Sequence, residues 1–191
     1  MKKIILNTLD KYLKINKSEE DKLDRLKQFL KNNSSEKITD WNNFEGHIVA
    51  SAFVMSKSTR TFAVVFHDEF KVYIYPGGHI DNTDSTPLSA AKREVMEETG
   101  LKNLETYNVC DDELVPFDID IHHLSRNEKF NLPPHYHFDF RYFFLVDGEE
   151  DLVIDENEAS GYKWVSFDEL KSNPFYSRCI DKIEKVVNEY K

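Results

Sequence analysis

Three glutamates set the chemistry that this chain can attempt. Glu94, Glu97 and Glu98 stand at i, i+3 and i+4, a spacing that puts their carboxylates on one face of a helix. Like charges so placed repel one another unless a cation sits among them. Hard divalent ions such as Mg²⁺ take oxygen ligands, binding through carboxylates together with substrate phosphates. The cluster therefore reads either as a metal-assisted phosphate site or as a solvated acidic helix face. Arg93 precedes it directly and is placed to orient a glutamate by a charge-assisted hydrogen bond rather than to touch substrate.

The element that must carry these residues is a helix. Thr86 is suited to the N-cap and Pro87 to the first helical position, where the missing N–H costs nothing. The spacing predicts a helix over Pro87 to Thr99, ended by Gly100 in the left-handed conformation. Leu88, Ala91 and Val95 fall at i, i+3 and i+7 and form an apolar stripe that can pack on a sheet. Upstream, Gly77 and Gly78 open a loop in which the backbone can turn close beside the carboxylates.

Taken together, residues 77–101, GGHIDNTDSTPLSAAKREVMEETGL, resemble the Nudix box, G-x5-E-x7-R-E-U-x-E-E-x-G-U with U aliphatic. Arg93, Glu94, Val95, Glu97, Glu98, Gly100 and Leu101 match its second half position by position, and Gly78 matches its opening glycine. Between Gly78 and Arg93 the chain carries one residue more than the box allows, and Asp84 or Ser85 stands where the first glutamate belongs.

The resemblance implies an α/β Nudix fold, a mixed β-sheet sandwiched between helices. It further implies a Mg²⁺- or Mn²⁺-dependent hydrolase that cleaves a diphosphate linkage in a nucleoside diphosphate derivative. Glu94, Glu97 and Glu98 would hold the metal, with Arg93 beside them in the catalytic set. Family members often place one more glutamate in the loop before the closing strand; Glu158 or Glu156 is the candidate here, against a plain solvated acidic loop. The rival reading is a Nudix-like sensing or binding module without catalysis, motivated by the longer loop and the absent first glutamate. The intact glutamate cluster speaks against it, because a protein that only binds has no need of three repelling carboxylates. Isomerisation of isoprenoid diphosphates, also found on this fold, has no support in the sequence.

A second group of polar residues lies in HYHFDFRYFFLV, residues 135–146. Period-two alternation sends His135, His137, Asp139 and Arg141 one way and Tyr136, Phe138, Phe140 and Tyr142 the other. The aromatic face reads as core. The polar face has three readings: solvated; a zinc site with Asp120 and His122 on the preceding strand; or a substrate wall, with Arg141 for phosphate and the histidines for hydrogen bonds or a stacked ring. In the last reading the substrate-contact set is Gly77, Gly78, His79, His135, His137, Asp139 and Arg141. The strings FDIDIH, H-x-H-x-D-x-R-[FY] and GHIVASAFV resemble a bacterial subgroup of Nudix proteins, which extends the resemblance over about residues 45–172.

The other elements follow from periodicity. Two helices are predicted before residue 35: Ile5, Leu9 and Leu13 mark the first, and a Ser18/Asp21 capping box opens a second bearing Leu23, Leu26 and Leu30. Strands are predicted at 48–55, 61–66, 71–75, 104–109, 114–122 and 162–165. Ser166 starts a helix, and a last one runs from about Pro174 with Cys179, Ile183 and Val187 inward. The expected division is a helical extension over 1–44 and a Nudix domain over 45–191.

Composition bounds the partners. A net charge of −10 over 191 residues argues against nucleic-acid binding by bulk electrostatics, so a phosphorylated substrate would arrive with its metal; the small nucleotide-type substrate is what the resemblance implies. Cys110 and Cys179 have no metal-site spacing and read as small core residues of a reduced, cytoplasmic protein. No run is long enough to span a bilayer, and the apolar start at Ile4-Ile5-Leu6 is broken by Asn7, Asp10 and Lys11. A homodimer is expected only because dimers are common in the family.

Overall fold

The computed structural model describes residues 1–68, 70–128, 131–149 and 161–191. In chain order these form α1 (Lys2–Ile15), α2 (Asp24–Asn32), β1 (His47–Ser56), β2 (Phe62–His67), β3 (Val72–Ile74), β4 (Gly77–His79), α3 (Pro87–Thr99), β5 (Glu105–Thr106), β6 (Asp118–Leu124), β7 (His135–Val146), β8 (Tyr162–Val165), α4 (Phe167–Ser172) and α5 (Ile180–Glu189). They gather into two compact units. The first comprises Met1–Ser51, Gly78–Ala91 and Asn108–Tyr142, the second Ala52–Gly77, Lys92–Tyr107 and Phe143–Lys191.

The first unit is built on the antiparallel pair β6 and β7, in register from Asp118 opposite Arg141 to Leu124 opposite His135. The N-terminal helices cover its aromatic face. Phe29 of α2 stacks on Phe138 at 4.5 Å, and the Arg25 guanidinium lies 4.1 Å from the centre of the Tyr136 ring. Leu23, Leu26 and Leu30 are fully buried, as their spacing requires. From α1, Tyr12 reaches β6: its hydroxyl donates to Glu19 Oε2 at 2.7 Å, accepts from the Ile119 N–H at 3.3 Å and lies 3.5 Å from Asp118. Burial and these carboxylates push the phenol far above its ordinary pKa.

In the second unit β2 pairs antiparallel with β1, β3 and β8, and β5 with the end of β7. Phe53, Tyr75 and Tyr176 form its aromatic centre, with ring centroids 5.0 to 5.9 Å apart. Ser166 opens α4 with a full capping box, its hydroxyl accepting from the Glu169 N–H while the Glu169 carboxylate accepts from the Ser166 N–H. Ile183, Val186 and Val187 form the buried face of α5. Among the described residues no helix is long and apolar enough to cross a membrane.

Four expectations are corrected. Ser18 and Asp21 form no capping box; they sit in two single 3₁₀ turns, and α2 begins at Asp24 without a side-chain cap. The strand expected over 114–122 begins only at Asp118, because Asp112 folds the preceding stretch into a turn. Its carboxylate accepts from the Leu114 N–H at 3.1 Å and pairs with Lys11 Nζ at 2.5 Å, and its carbonyl accepts from Val115. The last helix starts at Ile180 after a 3₁₀ turn, with the buried Cys179 as its N-cap; Cys110 is partly exposed instead of core.

Gly46 is closely packed against β7. It has φ +151°, and a Cβ there would lie 2.7 Å from the Tyr136 carbonyl oxygen and 2.8 Å from the Phe138 ring. Gly46→Ala should destabilise the protein by about 2 kcal/mol, the scale of overpacking in a closed core. Gly148→Ala, where the nearest atom is 3.9 Å away, should be neutral; equal urea midpoints for the two variants would contradict this account.

Candidate active site and an imidazole cluster

Helix α3 has the predicted bounds, Pro87–Thr99. Thr86 caps it through Ser89: the Thr86 hydroxyl accepts from the Ser89 N–H at 3.0 Å, and the Ser89 hydroxyl accepts from the Thr86 N–H at 3.0 Å. Serine here takes the part that glutamate plays in the usual capping box. Gly100 ends the helix at φ +75°. Leu88, Ala91 and Val95 are buried, and the three glutamates, on the other side of the helix, are partly buried.

Their carboxylates are restrained by two kinds of donor. Arg93 Nη1 donates to Glu94 Oε1 at 2.9 Å and to Glu97 Oε2 at 2.6 Å. The Gly77 N–H donates to Glu98 Oε2 at 2.8 Å. Arg93 and Glu94 keep only 19% and 13% of their side-chain surface exposed and Glu97 37%, a half-buried setting in which the ion pairs hold the carboxylates in place against mutual repulsion. The donor set, three carboxylates within two turns of one helix, fits a hard oxygen-seeking cation and offers nothing to a soft one.

Asp84 and Ser85 differ in their surroundings. The Asp84 carboxylate accepts from the Asp81 N–H at 2.8 Å and the Asp84 N–H donates to the Asp81 carbonyl at 3.0 Å, closing a turn; Ser85 is exposed. The extra residue of the loop is thus absorbed in a turn held by aspartates. Glu156 and Glu158 lie outside the described residues.

The polar face of β7 is interior rather than solvated. Asp139 and Arg141 are 2% and 3% exposed. Arg141 donates from Nε to Asp139 at 3.0 Å, from Nη2 to Asp120 at 3.1 Å and from Nη1 to Asp118 at 3.4 Å. Asp139 also accepts from the Ser51 hydroxyl at 2.8 Å. The register explains this knot: Arg141 lies opposite Asp118, and the two like charges that oppose each other, Asp139 and Asp120, are both reached by the one guanidinium. Its three nitrogens are engaged with carboxylates.

Toward the other end of the same face stands a group of imidazoles, and its central member, His47, was not singled out in the sequence. His47 opens β1 and is 1% exposed; its ring centroid lies 4.7 Å from His137, 5.0 Å from His79 and 5.1 Å from His135. Among the described residues, neither ring nitrogen of His47 has a hydrogen-bond partner, nor has Nε2 of His137. His135 is different: its Nδ1 donates to the Pro133 carbonyl at 2.8 Å. The available signal was the GHI string, whose histidine follows a glycine pressed against Tyr136 and so falls beside His135 and His137.

Burial first, then the crowding of neighbouring imidazoles, lowers the pKa of His47 to about 4 and that of His137 to about 2; His79 shifts in the same direction. The nearby Asn43 backbone pulls His47 the other way without closing a hydrogen bond. Because the folded values lie below the unfolded value of about 6.5, protons bind the unfolded chain first. This contribution to stability is fully present above pH 6.5 and is lost as pH falls toward 4. The thermal midpoint of metal-free protein should therefore drop between pH 7 and 5, and His137→Gln should flatten that slope; an unaltered slope in the variant would remove these rings as the cause.

Comparisons with known proteins agree with this architecture. A family model for the NUDIX domain matches residues 46–183. The chain is 29% identical over 172 residues, 90% of its own length and 85% of the other's, to a probable DHNTP pyrophosphohydrolase of Lactococcus lactis subsp. cremoris (strain MG1363). Among solved structures it resembles a NUDIX-family hydrolase from Clostridium perfringens, with TM-score 0.56, 22% identity and coverage of 73% of this chain and 97% of that one. It also resembles the E. coli dihydroneopterin triphosphate pyrophosphohydrolase, with TM-score 0.53, 14% identity and coverage of 74% and 95%. The fold is α/β, a mixed sheet flanked by helices. With a domain match over most of its length and Arg93-Glu94-x-x-Glu97-Glu98 on its central helix, the chain belongs to the NUDIX domain family and is an enzyme of the Nudix hydrolase type.

Proposed function

We propose that this protein is a Mg²⁺- or Mn²⁺-dependent pyrophosphohydrolase that cleaves a diphosphate linkage in a small nucleotide-type substrate. The observation that carries the proposal is the restrained triplet of Glu94, Glu97 and Glu98. In this reading residues 45–191 form the catalytic domain and 1–44 a helical extension. The protein works in the cytoplasm, a compartment consistent with two cysteines that form no disulfide.

Glu94, Glu97 and Glu98 would hold the ion. Bound there, it would neutralise phosphate charge and acidify a water for attack. Arg93 acts behind the carboxylates: by donating to Glu94 and Glu97 from one nitrogen it fixes where their remaining oxygens point. Gly77 fixes one oxygen of Glu98 through its N–H, and with Gly78 it leaves room for a phosphate near the backbone. His79, His135 and His137 supply the substrate-facing polar groups of the first unit. Asp139 and Arg141 act by bracing that wall from inside, since both are buried in ion pairs.

The first substrate to try follows from the name of one relative, since the L. lactis protein is named for DHNTP; the E. coli protein of similar fold is named for dihydroneopterin triphosphate. Dihydroneopterin triphosphate is the first compound to test, within a panel of nucleoside di- and triphosphate derivatives. Turnover should require Mg²⁺ or Mn²⁺ and stop with chelator. Glu98→Gln should lower kcat by at least about a hundredfold, as loss of charge stabilisation at a reacting phosphate does, with an unchanged melting curve. Nucleotide binding without turnover of any compound would instead favour a sensing module and make the Asp81–Asp84 turn the feature to explain.

A further inference from the structure

The imidazole cluster carries an inference separate from the glutamates. His47, His79 and His137 come from β1, β4 and β7, three segments distant in sequence. Each offers a ring nitrogen, and these nitrogens all lie within 4.8 Å of one another. A histidine buried for packing alone satisfies its N–H and its lone pair, because leaving such a group unpaired in the interior costs about 1–3 kcal/mol. His47 is 1% exposed, and among the described residues both its nitrogens are unpartnered, as is the buried Nε2 of His137.

We propose that His47, His79 and His137 form a binding site for a borderline transition-metal ion, Zn²⁺ in the first place, coordinated by imidazole nitrogens alone. Neutral imidazole is the ligating form. Zn–N bonds of about 2.0–2.1 Å in tetrahedral geometry place ligand nitrogens about 3.3 Å apart. The side chains close by rotation from their present spread, which His79 at the solvent edge is best able to do. Three protein nitrogens leave a position for water or an anionic oxygen, so substrate contact by this face would pass through the ion. His135 stacks on His47 at 5.1 Å with an interplanar angle of 28°, and with its Nδ1 given to Pro133 it serves as a wall that fixes the His47 ring. The donor chemistry excludes Mg²⁺, which demands oxygen.

The site is testable without any substrate, so its failure is distinguishable from failure of the hydrolase reading. The untagged full-length protein is stripped with chelator and titrated with Co²⁺, and separately with Zn²⁺ in a calorimeter, both in excess Mg²⁺ so that the carboxylates are already supplied. One ion per chain is expected, with visible Co²⁺ absorption of the strength typical of four-coordinate nitrogen sites. Trp41, whose ring lies 6.4 Å from His79, should lose fluorescence on Co²⁺ binding, and Trp41→Phe should abolish that signal. His79→Asn, at an exposed position that does not endanger folding, should weaken binding by about tenfold or more. A variant with Glu94, Glu97 and Glu98 all changed to Gln should bind as the wild type does. The proposal is overturned by no binding below about 100 µM, by binding that His79→Asn leaves unchanged, or by binding that the glutamine variant loses.

Discussion

The first unit depends on one buried cation. Arg141 meets Asp118, Asp120 and Asp139 at the centre of β6 and β7, with all four side chains at or below 4% exposure. Removing such charges from water is expensive, and their attraction offsets the penalty only when geometry is good and the remaining lone pairs are satisfied. The surrounding residues meet that condition. Ser51 donates to Asp139, His122 lies 3.2 Å from Asp120, and Tyr12 carries its hydroxyl to within 3.5 Å of Asp118. Because these partners come from β1, β6 and α1, the ion-pair network sets the register of the strands and the seat of the N-terminal helix at once. His135 and His137 are carried into place as a consequence, since they lie on the same strand and the same face.

The helix that carries the glutamates was legible in the sequence because every signal for it is local. Thr86, Pro87, the apolar stripe and Gly100 all act within one turn of their own position, and α3 has the bounds they imply. The glutamate cluster was equally legible, since i, i+3, i+4 spacing needs no tertiary information. The polar face of β7 was not. Alternation says which residues share a face and is silent on what covers it. Whether His-x-His-x-Asp-x-Arg meets water, ligand or protein is decided by β6 and Ser51, which arrive from elsewhere in the chain. His47 was missed for the same reason, being the one histidine at the start of a largely apolar strand. The Ser18/Asp21 pattern misled in the opposite direction: the local signal was present, yet Leu23 is anchored in the core and the chain makes two tight turns before α2 can begin.

Two donor sets of opposite character thus occur in one chain. The carboxylates of α3 are hard, charged and partly exposed, and a basic group holds them apart. The imidazoles around His47 are nitrogen donors without formal negative charge, and His47 itself is buried and held by packing. Such sets respond to different ions, and they respond oppositely to acid: protonation relieves repulsion among carboxylates and creates it among imidazoles.

The loop between Gly78 and Thr86 holds one residue more than the family pattern. The hydrogen bond from Gly77 to Glu98 anchors the chain before it, and the Thr86–Ser89 cap anchors the helix after it. Between those anchors the length of the chain is mechanically uncoupled from the position of the carboxylates. The Asp81–Asp84 turn is therefore a permissive segment, where insertion and drift can change the length of the loop while both anchors stay in register.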